Sequence, residues 1–138
     1  ANINEPGNFY GDSFGSVGWP NCGEIDIMEQ NGWNKSNLYG YCHWGDTETG
    51  EYKNSGAITN ISNSFTEFHI YSLIWNENKI LILVDGKVFF ELLNDSRNPF
   101  DNEHYVLFNI ALGGNLGGNI PSDFVREVME IDYIRIYK

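Results

Sequence analysis

Three acidic side chains lie within six consecutive positions of the segment GEIDIMEQNG, which covers residues 23–32. Glu24 and Asp26 alternate with isoleucines, so on a β-strand both carboxylates lie on one face and both isoleucines on the other. Met28 then occupies the position where a third acid would continue the row. Either Glu29 is buried on the apolar face, or the strand departs from regular alternation before it.

Three kinds of chemistry fit such a row of acids. Charged residues in alternation are most often a solvated strand face, although a row of like charges is itself unfavourable. Metal binding is a second interpretation, but carboxylates without a nearby histidine pair are weak evidence for it. The third is glycoside hydrolysis, in which one carboxylate attacks the anomeric carbon or activates a water. A second carboxylic acid, with a raised pKa, then protonates the leaving oxygen.

Composition limits the class of protein that holds these acids. The chain of 138 residues is long enough for one domain with a core, and 15% aromatic residues with 15 glycines favour strands and turns over helices. A formal net charge of −11 makes nucleic acid an unfavourable partner. No apolar run approaches the roughly 20 residues that span a membrane.

Short alternating segments with turn residues between them predict an antiparallel sandwich and a single domain over residues 1–138. Asp85-Gly86 is expected to form a two-residue hairpin turn. Cys22 and Cys42 are compatible with a disulfide or with two free thiols. The loop-like start, with no strand before it, predicts a fragment of a larger domain or a mature chain cut from a longer one. The predicted strands cover residues 24–30, 38–45, 56–61, 65–75, 79–93, 105–114 and 128–138.

The segment GWPNCGEIDIMEQNG resembles the active-site segment of family 16 glycoside hydrolases, in particular the laminarinase-like branch. The resemblance continues through FHIYSLIWNENKILILVDGKVF, PFDNEHYVLFNIALGGNLGG and MEIDYIRIYK. It implies an all-β, concanavalin-like jelly-roll sandwich with an open cleft, of which N-terminal strands are missing from this chain. It also implies that Glu24 is the nucleophile, Glu29 the acid/base and Asp26 the assisting acid. Because the family retains configuration, Glu29 should return to the cleft face through a β-bulge at Met28.

The same resemblance suggests supporting residues, each with a plainer alternative. Trp19 is expected in a sugar-binding subsite, or else in the core. His43 is expected beside the acids, where it could hydrogen-bond one of them or serve only the structure. Asn109 is expected to face the cleft or to bond the backbone. Asp132 matches a family position that helps bind a structural calcium, whereas catalysis itself needs no cofactor.

The function implied is a retaining endo-glucanase that cleaves internal β-1,3 or mixed β-1,3/1,4 bonds of laminarin-type glucans. The extra residue before Glu29 disfavours the xyloglucan and lichenase branches. The rival interpretation is a glucan-binding module on the same fold without turnover. The expected partners are a β-glucan and possibly a second chain that supplies the missing strands, in a secreted, periplasmic or cell-surface protein.

Overall fold

A computed structural model describes residues 17–138, which form six β-strands and one short helix. The strands make two three-stranded antiparallel sheets, ordered β1-β2-β3 and β4-β5-β6. The first sheet consists of β1 (Glu24–Glu29), β2 (Asn37–Gly45) and β3 (Tyr52–Asn60), and the second of β4 (Tyr71–Trp75), β5 (Lys79–Val84) and β6 (Lys87–Leu93); the helix, α1, is Gly114–Gly117.

The core lies between the two sheets, because each strand turns alternate residues toward the other sheet. On β2 the side chains of Leu38 and Cys42 are fully buried, while Tyr39, Tyr41 and His43 lie on the opposite face. Cys42 belongs to one cluster whose other buried members come from β5, β6 and the segment after β6: Ile80, Ile82, Phe90 and Phe100. Ile25 and Ile27 of the acidic segment pack against this cluster. The predicted all-β sandwich is confirmed.

The turns and strand ends differ in part from the prediction. Asp85 and Gly86 have positive φ angles of 49° and 75°. Both central residues of a type I′ turn require a positive φ, so the predicted two-residue hairpin turn is confirmed. Strand β3 begins at Tyr52 rather than at residue 56. Strand β4 covers only the end of the predicted segment 65–75, because the amides of Thr66 and Glu67 donate to Asn63 in a turn.

The two cysteines are free thiols. Burial and, to a smaller extent, the Asp26 carboxylate raise the pKa of the Cys42 thiol to about 12, so this thiol stays protonated near neutral pH. The prediction of an opening loop falls mostly on residues 1–16, which lie outside the described residues. Among residues 17–138 no helix has the length and apolar character that would span a bilayer.

The chain divides into two compact units at the junction of Leu107 and Phe108. The second unit contains α1, and its apolar side chains are largely exposed. The predicted strands at 105–114 and 128–138 are wrong, because no residue of either segment is in a strand. Alternation tells which side chains share a face, but a strand also needs a neighbour to accept and donate its backbone hydrogen bonds. The single domain over 1–138 stays a prediction.

Candidate active site

A β-bulge places the three acids on one face of the first sheet. Asp26 pairs with Tyr41 of β2, and the next pair is Glu29 with Tyr39. Strand β1 therefore advances three residues while β2 advances two, so residues 27–28 oppose a single residue of β2. The predicted bulge is confirmed. Glu29 returns to the face of Asp26 instead of pointing into the core.

Two glycines allow close packing on either side of this sheet. A Cβ atom at Gly40, opposite the bulge, would lie 2.8 Å from the ring of Phe89, so the core leaves no room for a side chain there. A Cβ at Gly56 would lie 2.3 Å from the ring of Tyr41, which therefore rests on the backbone of β3. The rings of Phe89 and Tyr41 therefore pack closely against the backbone at positions where only glycine leaves room.

Asp26 is the middle acid, and its side chain is only 18% exposed. Burial and, to a smaller extent, the charges of Glu24 and Glu29 together raise its pKa to about 7. The pKa of Glu29 is also raised by burial, and Glu24 raises it too, while His43 acts in the opposite direction. Two of the three acids therefore hold a proton at a higher pH than an exposed carboxylic acid would.

Trp19 lies against the first acid. Its indole Nε1 donates a hydrogen bond of 2.7 Å to Oε2 of Glu24. The loop that carries Trp19 is fixed because the carbonyl of Pro20 accepts hydrogen bonds from the amides of Gly23 (3.1 Å) and Gly45 (2.9 Å). Trp19 is 49% exposed, so the alternative of a core tryptophan does not hold.

His43 joins the acids to a group of aromatic rings. It pairs with Glu24 across the strands, and its Nε2 lies 3.3 Å from Oδ2 of Asp26. Its Nδ1 lies 2.7 Å from the hydroxyl of Tyr52. The imidazole ring stacks on Tyr41 at 5.8 Å and 16°, and on Tyr52 at 6.0 Å and 6°. His43 thus contacts an acid, as one of its two interpretations expected.

Tyr41 and Tyr52 are the members of this group that sequence reasoning missed, and Tyr52 was missed because the predicted strand began only at residue 56. Tyr52 pairs with Gly45 at the start of β3, and residues paired across antiparallel strands share a face. Its ring lies 5.4 Å from that of Trp19. Extending β3 back to residue 52 and counting alternate residues would have placed it beside His43. The aromatic surface formed by Trp19, Tyr41, His43 and Tyr52 can stack on the apolar face of a sugar ring.

Asn109 and Asp132 belong to the second unit, and both are exposed. Their roles in substrate and calcium binding stay predictions. Within residues 17–138 no group of three or more histidine, cysteine, aspartate or glutamate side chains is arranged to hold a metal ion.

Solved structures of similar sequence share this architecture. LamAcat from Zobellia galactanivorans is 46% identical, with a TM-score of 0.82 over 88% of this chain and 48% of that chain. LamA_E269S from the same organism, in complex with laminaritriose and laminaritetraose, is 45% identical, with a TM-score of 0.81 over 88% of this chain and 49% of that one. The jelly-roll fold is thereby confirmed for the part of the chain that aligns.

Sequence comparison agrees with the structural one. Glucan endo-1,3-beta-glucosidase A1 of Niallia circulans is 33% identical over 87% of this chain and 20% of its own length. The chain therefore spans a fifth of that relative and about half of the Zobellia chains. The family model of the glycosyl hydrolases family 16 matches residues 8–134. The chain belongs to glycoside hydrolase family 16.

Proposed function

We propose that the protein containing this chain is a retaining endo-hydrolase of laminarin-type glucans, cleaving internal β-1,3 or mixed β-1,3/1,4 bonds. The observation that carries the proposal is the bulge, which brings Glu29 to the face of Glu24 and Asp26. Beside these acids lies an aromatic surface suited to sugar rings. A solvated strand face would require neither the bulge nor the partial burial of Asp26.

In the proposed mechanism Glu24 attacks the anomeric carbon, forming an ester bond to the sugar as the bond to the leaving oxygen breaks. Glu29 gives its proton to that oxygen, which suits an acid whose pKa is raised. In the second step Glu29 takes a proton from a water that attacks the anomeric carbon and releases Glu24 as a carboxylate. Retention by this route requires carboxyl groups about 5–5.5 Å apart.

Asp26 supplies the assisting charge between these two groups. Its proton is held at a pKa of about 7, so it can be shared with neighbours as their charges change during the reaction. Trp19 holds Glu24 through its indole N–H, which leaves the other carboxylate oxygen to attack. The glucan as substrate is supported by the oligosaccharides bound to the Zobellia relative.

Replacing the nucleophile separates this proposal from a glucan-binding module. Glu24→Gln, in the natural protein that contains these residues, should lower laminarin hydrolysis at least about 1,000-fold, because an amide cannot form the ester. Binding of laminarin oligosaccharides by calorimetry should survive. The matched control is Glu91→Gln, an exposed glutamate of β6, which should keep full activity. A wild-type protein that binds laminarin but never cleaves it would identify a binding module instead.

Replacing Glu29 tests the acid/base role by itself. Glu29→Gln should lose activity on laminarin but keep much of it on an aryl glycoside, whose good leaving group needs no proton. Added azide should restore turnover and give a β-glycosyl azide if configuration is retained. Equal losses on both substrates would assign Glu29 a structural role.

The proposed partner, besides the glucan, is a polypeptide segment or second chain that carries further strands of the sandwich. Its support is the exposed apolar surface of the predicted strand segments, which includes Phe108, Ile110 and Ile136. An apolar surface that is this exposed marks a place where another polypeptide segment can pack. Backbone amides of residues 105–114 and 128–138 should exchange hydrogen slowly with that partner present and fast without it. Equal exchange rates would refute the partner. We also propose that the protein is secreted or lies at the cell surface, because its proposed substrate is a polysaccharide.

A further inference from the structure

A continuous chain of contacts runs from Tyr52 through His43 to Asp26. The hydroxyl of Tyr52 is 2.7 Å from Nδ1 of His43, and Nε2 of the same ring is 3.3 Å from Oδ2 of Asp26. The three residues come from three different strands, β3, β2 and β1. Among residues 17–138 the hydroxyl of Tyr52 hydrogen-bonds to His43, so its effect on Asp26 passes through the imidazole.

The chemistry of a neutral imidazole makes the two contacts dependent on each other. One ring nitrogen carries a hydrogen and the other accepts, and the hydrogen bond made at one nitrogen selects the state of the other. A phenol that donates to Nδ1 therefore leaves the hydrogen on Nε2, where it faces Asp26. A flipped ring would lose both contacts, and stacking between Tyr41 and Tyr52 also opposes ring rotation.

We propose that Tyr52 is a positioning residue that fixes the orientation and tautomer of His43, so that Nε2–H donates to the Asp26 carboxylate. The effect of this positioning on catalysis rests on the proposed function, whereas the two contacts of His43 are independent of it. A hydrogen bond to the charged form of an acid favours that form, so the Tyr52–His43 pair opposes the burial and the neighbouring charges that keep Asp26 protonated.

Other ionisable groups lie near Tyr52 and His43, and the two on β1 raise the pKa of Asp26. These groups are Glu24 and Glu29 on β1, and Tyr41 and Cys42 on β2. Removing the Tyr52 hydroxyl alters none of these groups, so their contribution to the Asp26 titration midpoint is the same in the wild-type protein and in Tyr52→Phe.

The test is a double-mutant cycle read from the titration of the Asp26 carboxyl carbon by NMR in the natural protein. Tyr52→Phe keeps the stacked ring and removes only the hydroxyl. It should raise the titration midpoint of Asp26 by about one pH unit, the size expected when a charged group loses a hydrogen bond. His43→Phe should raise it at least as much. The double variant should behave like His43→Phe alone.

Tyr39→Phe is the matched control. Tyr39 lies on the same face of β2, and its hydroxyl also has a hydrogen-bond partner, Asn31 at 3.2 Å, but no contact to His43. Its removal should leave the Asp26 midpoint in place. The Nδ1 resonance of His43 should move in Tyr52→Phe and not in Tyr39→Phe.

Two results would overturn the positioning role. One is an unchanged Asp26 midpoint in Tyr52→Phe, and the other is a shift that persists in full when His43 is absent. The titration needs no substrate, so it is independent of the proposed function. If the natural protein cleaves no glucan while the cycle behaves as expected, the positioning role stands and the hydrolase proposal alone fails.

Discussion

The Asp26 carboxyl destabilises the folded protein at neutral and alkaline pH, and replacing it by Asn should reverse that effect. Its pKa is raised from 3.8 to about 7, first by burial and then by the charges of Glu24 and Glu29. An acid with a raised pKa binds its proton more tightly in the folded state than in the unfolded state. Stability therefore falls as pH rises from about 4 to about 7, and the loss is complete above that range.

The size of the effect follows from the shift. Each pKa unit corresponds to about 1.36 kcal/mol, so a shift of about three units sets an upper bound of about 4 kcal/mol. Because the side chain is 18% exposed, solvent screens part of this energy, and we expect about 2–4 kcal/mol. Asn carries no charge and keeps an oxygen that can accept from Nε2 of His43. Asp26→Asn should therefore stabilise the domain by that amount at about pH 8.5, and by less than about 1 kcal/mol at about pH 4.

The assay is urea unfolding of wild-type and variant proteins at both pH values, followed by tryptophan fluorescence. Groups that do not interact with Asp26 titrate equally in both proteins, so their contribution cancels in the difference. Asp123→Asn, at an exposed position of the second unit, is the control and should show no dependence of the difference on pH. If Asp26→Asn destabilises the protein equally at both pH values, the buried charge does not destabilise the folded state and the reasoning is wrong. On the proposed function, the same variant should also lose laminarin hydrolysis, since it removes the assisting carboxyl group.

Two further predictions concern the bulge and the second sheet. Deleting Met28 alone should keep the acids on one face and leave some hydrolysis, whereas deleting Ile27 and Met28 together should turn the last acid to the core side and abolish it. Equal inactivity of two folded deletion variants would show that Met28 is not a simple inserted residue. Asp85→Asn keeps the turn and an oxygen for the Ile70 amide, but it removes the charge beside His69. The mutual hydrogen bond raises the pKa of His69 and lowers that of Asp85, so the pair stabilises the fold above pH 3.8 and below pH 6.5, and its effect fades as pH rises through the folded value of His69. Thermal melts should show a larger loss in the variant at about pH 5.5 than at about pH 9, and a loss that does not vary with pH would contradict this.

The acid row could be predicted because its information is local. Alternation places Glu24 and Asp26 on one face, and Met28 marks where the alternation must be broken if Glu29 is to join them. The structure breaks it at that point, between the pair that contains Asp26 and the pair that contains Glu29. The hairpin at Asp85-Gly86 was equally local, because few residue pairs tolerate two successive positive φ angles.

Features that depend on a neighbouring strand were harder to predict. Tyr52 follows a polar loop, and only the register of β2 with β3 shows that it reaches His43. The segment 105–114 is an apolar run like β5, yet it forms no strand, because an apolar run carries no information about a hydrogen-bonding partner. Sequence patterns therefore identified which side chains share a face, and left open which strands lie beside each other.

Strand β1 carries apolar side chains on its core face and acidic side chains on its other face, and the bulge makes both arrangements possible. Toward the core, Ile25 and Ile27 pack against the apolar cluster, which stabilises the fold through burial. On the other face three acids lie close together, and their repulsion and partial burial oppose folding. A regular strand could carry the third acid only by moving it one position closer or by burying it in the core. With one extra residue opposite Gly40, the strand keeps its isoleucines in the core and still places a third, differently buried carboxyl beside the first two. Burial raises the pKa of Asp26 and of Glu29, and a raised pKa is what a proton donor needs.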